Sequence, residues 1–480
     1  MLRLEILPGT NEAFSRSASR RRLVNWYPNI NQDTQKINLY PMPGYDLLAT
    51  HTSAIWKGAV EFGGVGYAVI GTNLVSITSS GIATTLNTTL TGPQARVDMA
   101  VGKTQIMIVD GDQGYVYTPS TNTFAVISDA NFPANPTTCA HLDGYFIVDD
   151  PSNPGRWYRS QQNDATDWTI GASAEFATAE RSGDTLKRIK ESGDRLWFIG
   201  AQLTEAWFNA SDPSVIFNRI NSISLDWGTE APFTAIEADN NLIFLAKNER
   251  NPGRVILVNQ SGQLKTLSPD WLETLIAGYT VRTDAFSFMF DWQGHTFYVL
   301  TFPTDDKTWV LDLNAQAWFE WKNFDLGRHR ANGFLLLNGK ALIGDYVNGN
   351  IYQLKSTVYT HNGDMIEHIF RSDHLNQDNI SLRYDVIEPV FERGVGIVGT
   401  GQGSDPLCQL RWSKDSGNTW SNQEYKAVGK IGEYETRTLF RNKGWAKTMT
   451  LELSISEPVK AVLESMYAQV SLGEARPDTI

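Results

Sequence analysis

The feature that most constrains the fold of this chain is a repeated three-strand unit, whose plainest copy is Gln293–Trp321. Thr296–Phe302 and Thr308–Leu313 are rich in aromatic and β-branched residues, and a polar turn at Asp305–Lys307 separates them. This composition is typical of strands on a half-buried sheet, and a third run, Ala317–Trp321, alternates in the same way. A single meander buries only part of its surface, so the unit requires neighbours of its own kind.

Units of this kind recur between residues 55 and 360. The first apolar residue after each turn lies about 40 to 50 residues from the next, at Tyr67, Ile106, Tyr145, Leu196, Leu242, Phe297 and Ala341. One sheet per repeat at this period indicates a β-propeller. Seven repeats allow seven blades, or six blades and an extra hairpin. An irregular series of hairpins in a large sandwich is the alternative, and the near-constant period argues against it.

The composition favours an all-β chain without a membrane segment. The 480 residues include 39 Gly and 15 Trp, and no long segment has a sustained helical period. No apolar run reaches about 18 residues, which predicts no membrane span, and the N-terminus lacks a signal-peptide pattern. Cys139 and Cys408 lie far apart in sequence and suggest no disulfide framework, which suits a reducing cytosol. The net charge of −12 argues against a general grip on nucleic-acid phosphates.

Residues 1–45 precede the first repeat and differ from the rest of the chain. Arg16, Arg20, Arg21 and Arg22 form a basic cluster in an acidic protein. One interpretation is a solvated turn. The other is an extended N-terminal docking segment that binds an acidic surface of a partner protein, and on this interpretation the cluster is the candidate interface of the chain.

The repeat pattern ends near residue 360, which predicts a propeller over residues 46–360 and a C-terminal β domain over residues 361–480. In the latter, Ser413, Asp415, Gly417, Thr419 and Trp420 fit the Asp-box pattern. An Asp-box is a β-hairpin in which the aspartate bonds the turn backbone and the tryptophan packs beneath. We therefore predict structural roles, and no catalysis, for Asp415, Gly417 and Trp420.

No residue pattern in the sequence requires an enzyme. His361, His368 and His374 are the nearest together of the seven histidines, but their spacing fits no metal-ligand pattern on one helix face. The Asp110–Gly114 turn lacks the downstream ligands of a calcium loop. No GxSxG, HExxH or P-loop pattern occurs. The prediction is therefore no catalytic residue, no cofactor and no metal.

Two short motifs before the first repeat are the most specific in the chain: Asn25-Trp26-Tyr27-Pro28 and Tyr40-Pro41-Met42-Pro43-Gly44. With the Asp-box region, Gly432-x-Tyr434 and Ser456–Val459, they resemble the tail hub, or nozzle, proteins of short-tailed bacteriophages (podoviruses), also called packaged-DNA stabilisation proteins. The resemblance is strongest over residues 23–44 and 384–460. We assign structural roles to Trp26, Tyr27 and Pro28 on this basis.

The resemblance implies a structural virion protein of the tail, present in the host cytoplasm during assembly. It implies a homo-hexamer that extends and closes the DNA channel below the portal and serves genome retention and ejection. The implied partners are the portal-adaptor (head-to-tail connector) ring, tail fibres or tailspikes, and a tail needle or plug. Genomic DNA would pass through the ring without sequence-specific binding.

Two other classes of function fit parts of the sequence. A propeller interaction module of a cellular protein, similar to WD or Kelch proteins, fits Trp309-x-Leu311-Asp312 loosely, but the double-glycine Kelch signature is missing. A sialidase-like glycosidase is supported by the Asp-box alone. Such enzymes need an arginine cluster for the substrate carboxylate, and the sequence shows no recognisable early arginine motif.

Overall fold

The computed structural model describes residues 2–12, 15, 18–31, 33–51, 55–168, 176–178, 184–212, 215–251, 253–325, 327–376 and 380–472. These residues form a β-propeller followed by a β-sandwich, and the all-β prediction is confirmed. None of the helices in these ranges is long and apolar enough to cross a membrane.

The chain begins with strands that belong to sheets completed much later in the sequence. They are β1 (Leu2–Leu4), β2 (Asn11–Glu12), β3 (Arg20–Val24), β4 (Trp26–Ile30), β5 (Ile37–Pro41) and β6 (Gly44–Thr50).

The propeller follows. Its first three blades contain β7 (Trp56–Phe62), β8 (Val65–Ile70), β9 (Asn73–Ile77) and β10 (Ala83–Asn87); β11 (Asp98–Val101), β12 (Ile106–Val109), β13 (Gly114–Thr118) and β14 (Thr123–Val126); and β15 (Cys139–Leu142), β16 (Tyr145–Asp149), β17 (Arg156–Arg159) and β18 (Phe176–Thr178). Blades 4 and 5 contain β19 (Leu186–Ser192), β20 (Arg195–Gly200), β21 (Thr204–Asp212) and β22 (Val215–Leu225); then, after a 3-10 helix at Pro232–Thr234, β23 (Ile236–Ala238), β24 (Asn241–Ala246), β25 (Arg254–Val258) and β26 (Leu264–Thr266).

Helix α1 (Asp270–Ala277) leads into blade 6, which contains β27 (Phe286–Trp292), β28 (His295–Phe302), β29 (Lys307–Asp312) and β30 (Ala317–Glu320). Blade 7 contains β31 (Ala331–Leu337), β32 (Lys340–Asp345) and β33 (Asn350–Lys355), and β6 from the N-terminal side pairs with β33 to complete it. The described residues thus form seven blades.

The seven apolar positions of the sequence repeat all fall on the second strand of a blade, from β8 to β32. These strands are central in their sheets and are covered on both faces by neighbouring blades, so they read as continuous apolar runs. Tight turns precede them: in Asn338-Gly339 both residues have positive φ, 48° and 76°, which suits a two-residue hairpin loop. The first strands contact one another in a closed ring, from β7 through β31 and back to β7.

The sandwich is built from both ends of the chain. Its remaining strands are β36 (His368–Arg371), β37 (Leu375–Asn376), β38 (Leu382–Phe391), β39 (Leu407–Ser413), β40 (Glu424–Ala427), β41 (Phe440–Ala446), β42 (Thr448–Ile455) and β43 (Leu463–Leu472), while β34 (Thr360–His361) and β35 (Asp364–Met365) extend the sheet of blade 7. One sheet has the order β4-β5-β43-β38-β41 with β1 beside β43. The other has the order β3-β36-β42-β39-β40 with β2 beside β3 and β37 beside β42, and it continues into blade 6 because β3 also pairs with β30.

The predicted N-terminal docking segment, residues 1–45, therefore contributes strands to both sandwich sheets, and its last residues enter blade 7. The physical reason is that short strands of this kind have unpaired backbone groups, which the sheets of the C-terminal region satisfy. The predicted boundaries at residues 46–360 and 361–480 remain a prediction.

Candidate functional site at the junction of propeller and sandwich

Asn25 joins three distant parts of the chain. It is fully buried and has a left-handed backbone with φ of 57°, which a short polar side chain tolerates. Its side-chain amide donates to the carbonyls of Lys322 at 3.1 Å and Glu367 at 2.8 Å, and its Oδ1 accepts from the Lys322 N–H at 2.9 Å. Lys322 follows blade 6 and Glu367 precedes the first long strand of the sandwich, so one side chain links both domains to the N-terminal segment.

Trp26 and Tyr27 connect the same domains through apolar packing. Successive residues of a strand point to opposite faces, and these two do so on β4. Trp26 is buried in the sandwich, where its Nε1 donates to the Ala461 carbonyl at 2.7 Å. Tyr27 lies against blade 6: its hydroxyl donates to Gln293 Oε1 at 2.9 Å, and its ring meets Phe297 with centroids 5.2 Å apart.

Pro28 is buried in the same strand, opposite Leu39 of β5. Proline has no N–H for a sheet ladder, and β4 is the outer strand of its sheet, which is where proline is tolerated. We therefore propose that Asn25-Trp26-Tyr27-Pro28 is a structural motif of the junction, in which Asn25 bonds to both domains and Trp26 and Tyr27 pack into the core that the domains share.

The candidate interface arginines lie beside this motif, on β3. Arg20 Nη1 donates to the Gly417 carbonyl at 2.9 Å, and Arg21 Nε donates to the Gly9 carbonyl at 2.9 Å. Arg16 lies outside the described residues. The described arginines thus donate hydrogen bonds to other segments of the same chain. The docking of the cluster on a partner protein stays a prediction.

Arg22 forms a largely buried ion pair at the junction. Its Nε and Nη2 donate to Glu320 Oε2 at 3.1 and 2.5 Å, and Lys307 Nζ donates to the other carboxylate oxygen at 3.0 Å. Glu320 is 2% exposed. Burial opposes its ionisation, but the charges and hydrogen bonds of Arg22 and Lys307 outweigh burial and hold the pKa of Glu320 below its usual value.

The Asp-box hairpin connects β39 to β40 at the edge of the sandwich. Asp415 Oδ1 accepts from Ser413 Oγ at 2.7 Å and from the Thr419 N–H at 2.8 Å, and Asp415 Oδ2 accepts from Thr419 Oγ1 at 2.6 Å. These hydrogen bonds, led by that of Thr419, lower the pKa of Asp415. Gly417 has a φ of 83°, and a Cβ there would lie 2.9 Å from Cδ of Arg20. Both carboxylate oxygens of Asp415 are therefore engaged by the turn.

Trp420 lies against the turn of the Asp-box, since a Cβ added at Gly417 would lie 3.6 Å from its Cζ2. Its ring is half-buried and lies under two guanidinium groups, with Arg371 5.1 Å and Arg411 4.9 Å from the ring centroid. Both arginines pair with Glu452. The ring therefore supports a charged cluster on the face of the sheet and does not fill the centre of the core.

Three buried histidines line the junction, and the sequence patterns did not predict them. His329 stacks on Trp321 with ring centroids 3.6 Å apart, His361 stacks on Tyr45 at 4.7 Å, and His368 lies 5.3 Å from Trp26. Burial lowers the pKa of His361 to about 3 and that of His368 to about 4, and it lowers the pKa of His329 well below its usual value. All three rings are therefore neutral at physiological pH.

Among the described residues, no group of three His, Cys, Asp or Glu side chains is placed to hold a metal ion. Cys139 and Cys408 are buried free thiols, and burial raises the pKa of Cys408 to about 12.

Two family models match the chain. The model described as bacteriophage P22 Gp10, beta-propeller, matches residues 3–359, and the model described as bacteriophage P22 Gp10, beta-sandwich, matches residues 367–471. No curated protein sequence matches.

Solved structures resemble the chain at low identity. The computationally designed Ika8 protein is 9% identical, with 64% of this chain and 99% of that chain covered and a TM-score of 0.40. The extracellular domain of the putative one component system BT4673 from B. thetaiotaomicron is 10% identical, with 82% and 48% covered and a TM-score of 0.44. This chain thus spans about half the length of the BT4673 domain.

Proposed function

Because the chain belongs to the bacteriophage P22 Gp10 family, we propose that it forms the hub, or nozzle, of a short phage tail and extends and closes the DNA channel below the portal-adaptor ring. The family is one of structural phage tail proteins, so the chain is a structural protein of the virion. Its role in genome retention and ejection is what we propose.

The observation that carries the proposal is the way the two family-matched domains are joined. Residues of the sandwich, of blades 6 and 7 and of the N-terminal strands share one hydrophobic core, which includes Trp26, Phe297, Tyr352 and Leu451. Buried apolar surface resists separation because each exposed Å² costs roughly 25 cal/mol. A wall around pressurised DNA has to resist such separation between its parts, and a shared core supplies that resistance.

The charge of the chain supports a conduit that does not bind its cargo. The sequence carries 53 Asp and Glu against 41 Lys and Arg, a net charge of −12. Proteins that hold DNA neutralise its phosphates with lysine and arginine. An acidic ring would instead let genomic DNA pass without sequence-specific binding.

The partners in this proposal are those of a tail hub. They are the portal-adaptor ring above, further copies of the chain in a homo-hexamer, tail fibres or tailspikes outside, and a tail needle or plug at the tip. We propose that the chain is a structural component without catalytic activity. The Asp-box, which alone favoured a glycosidase, supports this view because Asp415 is engaged by its own turn.

A complementation experiment tests the proposal. Phage that lack this protein should package DNA and then lose it, so their particles should contain little nuclease-protected genome and should not infect. Purified wild-type protein, added with the other tail proteins, should restore retention. The variant Arg441→Gln removes an exposed arginine on the sandwich and serves as the matched control, with full rescue expected. Stable, full and infectious particles from the deletion phage would show that the hub assignment is wrong.

A further inference from the structure

The propeller contains a cavity of about 660 Å³. It lies where the segments that lead into the first strands of the blades meet. Gln94 and Arg96 come from blade 2, Asp284 from blade 6, and Arg328 and Tyr346 from blade 7. Sites for small ligands in proteins typically occupy about 300 to 1,000 Å³, so the cavity has the size of a small-molecule site.

Two arginines line this cavity, and each guanidinium is stacked on an aromatic ring. The guanidinium of Arg96 lies 3.3 Å from the ring centroid of Phe286 and donates to the Asn332 side chain at 3.0 Å. The guanidinium of Arg328 lies 3.6 Å from the ring centroid of Tyr346. Within the described part of the chain neither arginine forms an ion pair, although Arg328 is only 7% exposed. Burial and the charge of Arg328 lower the pKa of Arg96 to about 9 against the opposing charge of Asp284, so Arg96 remains positive at neutral pH.

The same cavity has hydrogen-bonding atoms without partners. Among the described residues, Arg328 Nη1 has no acceptor, and Asp284 Oδ1 and Gln94 Oε1 have no donor. Buried polar atoms are nearly always paired, and an unpaired one is destabilising by about 1 to 3 kcal/mol. Around this one cavity, these atoms offer a ligand one hydrogen-bond donor and two acceptors.

The other acidic groups at the cavity are already occupied. Asp149 accepts from the Thr137 N–H at 2.7 Å and from the Thr137 hydroxyl at 2.6 Å. Glu230 pairs with Arg282 at 2.6 Å and with Lys247 at 3.4 Å. Lys187 also lines the cavity and adds a positive charge. Among the charged and amide groups of the lining, those left for a ligand are two guanidiniums, an ammonium, one carboxylate oxygen and one amide oxygen.

We propose that this cavity binds an acidic sugar, a pyranose ring that carries one carboxylate. The carboxylate would lie between Arg96 and Arg328, because planar guanidiniums bind carboxylates through paired hydrogen bonds. The sugar hydroxyls would donate to Asp284 Oδ1 and Gln94 Oε1, and the ring would lie beside Phe233, a further lining residue. The inference does not depend on the proposed hub function.

Other anions fit the cavity less well. A phosphate has little to donate to Asp284 and Gln94 and would be repelled by the carboxylate of Asp284. A stretch of acidic peptide would bring several carboxylates to a cavity with few unpaired cations. A DNA duplex is far too large to enter a cavity of about 660 Å³.

Ligand-observed NMR titration of the purified full-length chain tests the site. The probes are D-glucuronate and N-acetylneuraminate, with neutral D-glucose as the matched control. At least one acidic sugar should bind with a millimolar or lower Kd and roughly 10-fold or more tightly than glucose, since charge-assisted hydrogen bonds contribute at least that factor. Arg96→Gln and Arg328→Gln should each weaken its binding by about 10-fold or more.

Matched variants and a competitor decide the outcome. Arg441→Gln removes the same charge from the sandwich and should leave the Kd unchanged. Thermal melting identifies any variant that fails to fold, and Arg96→Gln and Arg328→Gln report on the site independently. Failure of both acidic sugars to bind, equal binding of glucose, or unchanged affinity in the two variants would overturn the proposal. Displacement by inorganic phosphate at lower concentration than either sugar requires would show a simple anion site and would overturn it too.

Discussion

Acid should weaken the junction through its buried histidines, and the effect of His361 can be worked out from its surroundings. The ring is 1% exposed, stacks on Tyr45, and has no hydrogen-bond partner for either nitrogen among the described residues. Burial, followed by the charges of His368 and Arg330, lowers its pKa from 6.5 to about 3.

The sign of the pH dependence follows from this depressed pKa. Above pH 6.5 the ring is neutral in both the folded and the unfolded chain, and its titration has no effect on stability. Below pH 6.5 the unfolded chain takes up a proton that the folded chain does not, so the free energy of unfolding falls until the pH approaches 3. At pH 5 the loss is about 2 kcal/mol, at 1.36 kcal/mol for each pH unit.

The variant His361→Phe isolates this contribution. Phenylalanine keeps an aromatic ring against Tyr45 and takes up no proton, so the variant should lose about 2 kcal/mol less than wild type between pH 7.5 and pH 5. Urea unfolding at the two pH values, followed by tryptophan fluorescence, measures the difference. His374→Gln is the control, because His374 is half-buried and hydrogen-bonded to Thr450 at 2.7 Å. Equal losses in wild type and His361→Phe would refute the reasoning.

Three further perturbations test the junction and the sandwich. Arg22→Gln should destabilise the chain by about 2 kcal/mol in urea unfolding, because it leaves the buried Glu320 paired with Lys307 alone. When Arg22→Gln is made in the Glu320→Gln variant, the loss should be much smaller, and equal losses in the two backgrounds would contradict the pairing. Trp420→Ala should cost only about 1 to 2 kcal/mol, since the ring is half-buried under Arg371 and Arg411; a loss of about 4 kcal/mol would show that it is a core residue. Cys139 and Cys408 should resist iodoacetamide in the folded chain and react after unfolding, because both thiols are buried with raised pKa values; rapid native labelling, read by mass spectrometry, would contradict this.

The repeat and the family were accessible from the sequence. Each of the seven repeat positions lies on the second strand of a blade, because strands covered on both faces must be apolar and the turns before them need glycine or asparagine. The phage tail resemblance rested on Asn25–Pro28 and on the Asp-box region, and the two family matches confirm it. The blade count stayed open between six and seven, because the strand that completes the last blade, Gly44–Thr50, lies outside the repeat.

The sequence by itself therefore determined the all-β architecture and the repeat, since both rest on local patterns of a few residues. Only the tertiary structure decided what the N-terminal segment does. Leu2–Leu4 pairs with the strand Leu463–Leu472, and Arg20 bonds to Gly417, and such distant partners leave no local pattern. The buried histidines and the arginines of the propeller cavity likewise lie in no motif that the sequence reveals. Their environment comes from blades and strands far apart in the chain, because burial and unpaired charge are properties of packing.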